Sequence, residues 1–369
     1  MRAIILSLSL TIAWAIAIPA AEAQTQTSDT PQVENARLEK KALAGPLAAE
    51  VKSWASKAEQ PQWLGYAVPQ MGRDRTMCCG DYGGSWGNGC GHCRLEDRDH
   101  GTNITSKDEA GTTKLEAPRS IAVLYRAENK RITKIRVVSM ECSLDAGGLP
   151  FVWLSSVKPA ESVELLETFV HGTYFESHDD EHTSRGALTA IALHADPAAD
   201  RALESFTRSS EPESLRKQTA FWLGASREKA GLALLEKMAK SDPSPEVRAQ
   251  VTFGLSVSHE QGAVEDMIRM AHDDQSTHVR GQALFWLAHK AGQKAVGAIT
   301  GAIDNDPDTD VKKKAVFALS QLPKDEGVPK LIEVAQTNHN REVRKQAMFW
   351  LGQSHDPRAL VFFEKILTQ

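Results

Sequence analysis

The sequence predicts a mostly helical chain: a right-handed α-solenoid of about six 32-residue two-helix units, preceded by a small cysteine-bearing α+β domain. Two observations carry this expectation. The stretch VRKQAMFWLG at 343–352 recurs, stepping back 32 residues at a time. The earlier copies are VKKKAVFALS from Val311, VRGQALFWLA from Val279, VRAQVTFGLS from Val247 and LRKQTAFWLG from Leu215, with no gap; a weaker one, TSRGALTAIA, starts at Thr183. A fixed period over about half the chain marks stacked repeats. Upstream of the array the composition changes: all five cysteines gather there, beside segments that alternate apolar and polar residues.

Taken in order, the chain divides into residues 1–23, 24–60, 61–158 and 159–369. The first is expected to be a signal peptide. Arg2 is followed by an uncharged apolar run to Ile18, and Ala21-Glu22-Ala23 offers small residues at a peptidase site. Cleavage is expected before Gln24, which leaves an exported protein, periplasmic or secreted, without a membrane span. Residues 24–35 read as a polar leader and 36–57 as a helix. From 77 to 92 the chain reads MCCGDYGGSWGNGCGH, whose glycines exclude regular helix. Residues 120–127 and 132–140 alternate as half-buried strands about a turn at Glu128-Asn129-Lys130, a hairpin signal. An isolated hairpin is marginal in water, so further strands are expected at 63–68, 114–117 and 151–154. Residues 159–170 read as an amphipathic helix with proline in its first turn.

Within each unit, positions 1, 5 and 9 share one helical face, and position 9 is Leu223, Leu255, Leu287, Leu319 and Leu351. The second helix repeats too, at Leu232, Val264, Val296, Val328 and Leu360. Two short helices cannot bury both stripes alone, so neighbouring units must stack. Position 2 is a basic ladder of Arg216, Arg248, Arg280, Lys312 and Arg344, with Asp242, Asp274, Asp306 and Asn338 at the unit edges. Its first reading is structural, each cation meeting a turn aspartate; an anion-binding stripe is the alternative. Position 7 is Phe221, Phe253, Phe285, Phe317 and Phe349, well away from the 1-5-9 stripe. These rings either pack adjacent first helices together or form a partner-binding strip. Position 8 alternates Trp222, Gly254, Trp286, Ala318, Trp350, as if each Trp filled the space beside a small neighbour.

The pattern V-R-x-x-A-x-x-x-L-G, then D/E-x-A-V/L-x-x-L, then a D-P turn, resembles the short HEAT-like repeats also found in phycobilisome lyase subunits. The resemblance covers about residues 183–367 and implies an interaction scaffold rather than a reaction. The family's usual small residue at position 8 is Trp in three units here. Residues 63–154 look similar to the N-terminal part of exported bacterial HEAT-repeat proteins that have no assigned activity.

Candidate chemistry gathers at the cysteines. Cys78, Cys79, Cys90, Cys93 and Cys142 read first as disulfides in an oxidising compartment, with Cys142 expected to bond Cys78 or Cys79. Alternatives are a metal site, because Cys90 and Cys93 form a CxxC beside Cys78 and Cys79, and a redox pair. His178 and His182, four residues apart within HDDEH, are a second metal candidate, set against a solvated acidic linker. No nucleophile–base pair, phosphate loop or dinucleotide fingerprint stands out. Net charge is -5, from 43 basic and 48 acidic residues, and argues against a nucleic-acid partner. The reading is therefore an exported, non-catalytic protein-interaction scaffold with a protein partner and no cofactor. A redox or metal protein acting through the cysteine cluster, and a lyase-like tetrapyrrole chaperone, are the alternatives.

Overall fold

The computed structural model describes residues 30–71, 75–79, 93–96, 102–106, 120–140, 142–170 and 178–368. The expected signal peptide, most of the glycine-rich loop and the candidate strand at 114–117 lie outside them.

The N-terminal domain begins with β1 (Val33–Glu34), β2 (Arg37–Ala42), α1 (Leu47–Ser56), β3 (Gln62–Pro69) and β4 (Arg75–Cys79). It continues through β5 (Cys93–Arg94), β6 (Thr102–Ser106), β7 (Ser120–Glu128), β8 (Arg131–Ser139), β9 (Leu144–Asp145) and β10 (Pro150–Ser155). A five-stranded sheet runs β2-β10-β3-β7-β8. β10 lies parallel to both β2 and β3, while β3, β7 and β8 are antiparallel. The β7–β8 connection is Asn129-Lys130, both at positive φ (51° and 62°). That conformation suits the right-handed twist of a two-residue hairpin.

Two sequence expectations need correction here. Residues 36–57 are not one helix. Arg37–Ala42 is an edge strand on β10, and the helix starts only at Leu47, after Pro46. RLEKKA has no apolar face for a helix to bury, while a sheet edge satisfies its backbone at no such cost. The first hairpin strand, β7, is also not half-buried, whereas β8 mixes partly buried and buried positions. Ile121 to Tyr125 are all buried, because both faces of the sheet are covered. Strands covered on both faces read as continuous apolar runs. Leu64, Tyr66, Val123 and Tyr125 face the helices, whereas Trp63, Leu124, Phe151 and Trp153 face a second core with Cys93, Cys142 and Leu144.

After α2 (Pro159–Val170) come six helix pairs. They are α3 (His178–Leu193) with α4 (Pro197–Phe206), α5 (Glu213–Ser226) with α6 (Glu228–Ser241), and α7 (Pro245–Val257) with α8 (Gly262–Asp273). α9 (Thr277–Ala291) pairs with α10 (Gln293–Asn305), α11 (Thr309–Ser320) with α12 (Lys324–Thr337), and α13 (Arg341–Gln353) with α14 (Pro357–Leu367). First helices stack on first helices along α5, α7, α9, α11 and α13. The 1-5-9 stripe is buried as expected: Val247, Val251, Leu255, Val279, Ala283 and Leu287 are all closed to solvent.

The two domains share one core, because α3 lies directly on β8. Gly186 permits this approach: a Cβ there would lie 2.0 Å from the Ile135 carbonyl oxygen. A buried polar chain crosses the same seam. Tyr125 and Tyr66 hydroxyls are 2.9 Å apart, Tyr66 reaches Ser162 Oγ at 2.6 Å, and Ser162 Oγ reaches His194 Nε2 at 2.9 Å. His194 Nδ1 lies 2.6 Å from the Ala190 carbonyl, which can only accept. Nδ1 therefore carries the proton of the neutral ring, and every other proton follows: Tyr125 donates to Tyr66, Tyr66 to Ser162, Ser162 to His194. Burial holds the His194 pKa down to about 4 and pushes Tyr66 up to about 12. The buried Arg227 guanidinium closes the seam, donating to the His194 carbonyl at 2.7 Å and to Asp200.

Candidate interaction surface

The repeat ladders become geometry in the array. Asp242 Oδ1 accepts the Ser244 N–H at 2.9 Å, Asp274 the Ser276 N–H at 2.8 Å, and Asp306 the Asp308 N–H at 2.9 Å. Each of these side chains closes the turn between units. The same carboxylates are gripped by the arginine near the start of their own unit. Arg216 Nε meets Asp242 Oδ2 at 2.8 Å, Arg248 meets Asp274 at 2.8 Å, and Arg280 meets Asp306 at 2.7 Å, each with a second bond from Nη2. Hydrogen bonding to Asp274 and Asp306 raises the pKa of Arg248 and of Arg280. The structural reading of the basic ladder thus has its geometry at three units. Where Asn338 replaces aspartate, the opposing cation is Lys312, which turns to the Asp304 carbonyl at 2.7 Å.

The position-7 rings form a continuous aromatic ribbon across the first helices. Phe221 stacks on Phe253 (centroids 5.6 Å) and Phe285 on Phe317 (5.9 Å). Between these pairs, Phe253 meets Trp286 at 4.6 Å and Phe317 meets Trp350 at 4.9 Å. The large–small alternation at position 8 is explained by this: Trp286 and Trp350 each follow a unit with Gly254 or Ala318. Phe221, Phe253, Phe285 and Phe317 are half-buried by their neighbours, whereas Phe349 is 54% exposed. Phe349 stands where each earlier unit presents its ring to the next. On α14, Leu360, Val361 and Leu367 are exposed by 65%, 65% and 84%. Leu360 holds the phase at which Val328 is buried.

The other predicted site residues are placed as follows. Cys93 and Cys142 are fully buried beside β9, Cys93 donating its N–H to the Ser143 carbonyl at 2.9 Å. Cys78 and Cys79 end β4, and of their side chains, as of Cys90, nothing is described. His178 begins α3 and His182 is half-buried one turn later. Among the described residues no three potential ligands cluster as a metal site, but three of the four cysteine candidates fall outside that test. No helix among the described residues is long and apolar enough to cross a membrane. Sequence reasoning missed the Ser162–His194 pair, which no motif signals because the partners lie 32 residues apart, Ser162 on α2 and His194 just past the end of α3. The pair is enclosed in the core, out of reach of a substrate, and acts as a seam.

A family model of HEAT repeats matches residues 201–288, 264–349 and 298–369, in overlapping stretches. No curated protein matches this chain. One similar solved structure is human deoxyhypusine hydroxylase in complex with glycerol: 14% identity, 56% of this chain, 90% of that chain, TM-score 0.31. Another is the complex of CpcE and CpcF of phycocyanin lyase from Nostoc sp. PCC7120: 17% identity, 54% and 77% covered, TM-score 0.29. Likenesses of this size carry no conclusion about activity. With its stacked helix pairs, aspartate turns held by arginine and a family match over residues 201–369, the C-terminal part of the chain is an array of HEAT repeats.

Proposed function

We propose that this chain is an exported, non-catalytic HEAT-repeat scaffold that binds a protein partner at the exposed apolar side chains of α13 and α14. The observation that carries the reading is the exposure of Phe349, Leu360, Val361 and Leu367 together. The earlier position-7 residues Phe221, Phe253, Phe285 and Phe317 add the open edges of their rings to the same ribbon. Export is supported by the apolar N-terminus and by the five cysteines gathered upstream of the array, which suit an oxidising compartment. The test is capture by the immobilised mature protein from an exported fraction, comparing wild type with a Phe349→Ser, Leu360→Ser double variant. A partner retained by wild type and lost by a variant of unchanged melting temperature supports the reading; equal capture by both overturns it. N-terminal sequencing of exported material is expected to begin at Gln24, and intact Met1 in a cytoplasmic fraction would refute export. Non-reducing peptide mapping is expected to find Cys142 bonded, to Cys78 or Cys79 by the sequence expectation.

A further inference from the structure

We propose that the cleft between α6 and α8 is a binding site for an organic cation, the guanidinium or ammonium group of an arginine or lysine side chain. The cleft has a volume of about 400 Å³ and includes Ala239 and Met270 in its lining, with Lys240 and Arg269 among the polar residues. Four of its carboxylates are Asp242, Asp274, Glu236 and Asp266. The first two are taken by the Arg216 and Arg248 grips described above. The other two are underused. Glu236 is half-buried and has no ion-pair partner among the described residues. Asp266 is only 3% exposed; Arg269 covers its Oδ1, and Oδ2 has no hydrogen-bond partner.

Asp266 is out of keeping with its place in the repeat. The same phase holds Leu234, Ala298, Lys330 and Phe362 in the other units. A buried carboxylate oxygen left unpaired is destabilising, so folding of the array does not call for it. Oδ2 is closed to solvent while Arg269 holds the carboxylate, so a cation entering the cleft satisfies it by displacing Arg269. The last turns of α6 and α8 also point their C-terminal, partially negative ends at this cleft, which favours positive charge there. Arg269, itself exposed on one side, already holds one oxygen and is free to swing to solvent as a ligand cation takes its place. Among the described residues no three-ligand metal cluster exists here, so the donor set suits a hydrogen-bonding organic cation. The apolar lining at Ala239 and Met270 would hold the methylene stem of such a side chain.

The test uses the mature protein and a fluorescein-labelled Gly-Arg-Gly peptide, followed by anisotropy, beside its Gly-Lys-Gly and Gly-Gln-Gly counterparts. The arginine or lysine peptide is expected to bind at least tenfold tighter than the glutamine peptide. Glu236→Gln and Asp266→Asn are each expected to weaken that binding at least tenfold. Asp266→Leu, which restores the residue type of Leu234, is expected to abolish binding while raising the melting temperature. That opposed pair of effects is one a purely structural Asp266 would not give. Competition with free n-butylguanidinium distinguishes the sources: full competition at matched concentration assigns a small organic cation, and weak competition assigns a side chain on a peptide. Equal binding of the glutamine peptide, or a lowered melting temperature of Asp266→Leu, overturns the proposal. Because the cleft is lined by residues 236–275, away from α13 and α14, the Phe349→Ser, Leu360→Ser variant should bind the peptide normally, and either proposal can fail alone.

Discussion

Asp242 does two jobs: its Oδ1 closes its own turn on Ser244, and both its oxygens are held by Arg216, 26 residues earlier on the first helix of the same unit. Both side chains of the pair are buried. Removing one partner leaves the other charge stranded, which costs about 3–5 kcal/mol. Arg216→Ala is expected to lower the urea midpoint accordingly, while Lys345→Ala, which breaks an exposed pair with Glu342, should cost under about 1 kcal/mol. Equal effects from the two variants would remove the clamp from the account of stability.

His194 gives the fold a defined acid sensitivity. Its folded pKa of about 4 lies below the ordinary value of 6.5, because burial penalises the charged ring. Above pH 6.5 both states hold the ring neutral and no linkage arises. As pH falls below 6.5 the unfolded chain takes up the proton and the folded chain does not, so stability declines until the folded ring titrates. The expected loss is about 2 kcal/mol between pH 7 and 5. Denaturant unfolding of wild type against His194→Gln checks it: the variant's stability should be flatter over that window.

The aromatic ribbon separates structural from exposed rings. Phe285 contacts Trp286, His289 and Phe317, whereas Phe349 contacts only Trp350 among the aromatic pairs described. Phe285→Ser is expected to cost about 2–3 kcal/mol, below the ~3–5 kcal/mol for emptying a fully buried aromatic site, because Phe285 is half-buried. Phe349→Ser should cost less than about 1 kcal/mol, as for other exposed positions. Thermal unfolding of the two variants measures the difference. A small effect at Phe285 would return that ring to the partner-strip reading.

Close helix approach can be tested at glycine. A Cβ on Gly224 of α5 would lie 1.9 Å from the Gly254 carbonyl oxygen of α7, a backbone atom that cannot move aside. Gly224→Ala should therefore destabilise by more than ~2 kcal/mol, as overpacking does. Gly297 lies in α10 with open space around it, so Gly297→Ala should stabilise by up to about 1 kcal/mol through helix propensity. Melting temperatures moving in the same direction would contradict the geometry.

The period and its apolar phases were legible without coordinates, because a stacked repeat must bury the same positions in every unit. Val247, Val251 and Leu255 announce their burial by spacing alone, and the pairing of Arg216, Arg248 and Arg280 with turn aspartates follows from a constant offset of 26 residues. The β7–β8 hairpin and α2 were legible for the same local reason. Tertiary structure alone decided the rest. Whether residues 37–42 pair as a strand depends on β10, more than a hundred residues away, and no local signal reports that neighbour. Ser162 and His194 meet only because α2 and α3 cross over the sheet. Position 7 left two readings open in the sequence, since a helical wheel gives the direction of Phe285 but not what stands beside it. Asp266 looked like one more polar residue on a second helix. Its burial depends on how α6 and α8 close around it, which is a property of packing rather than of spacing.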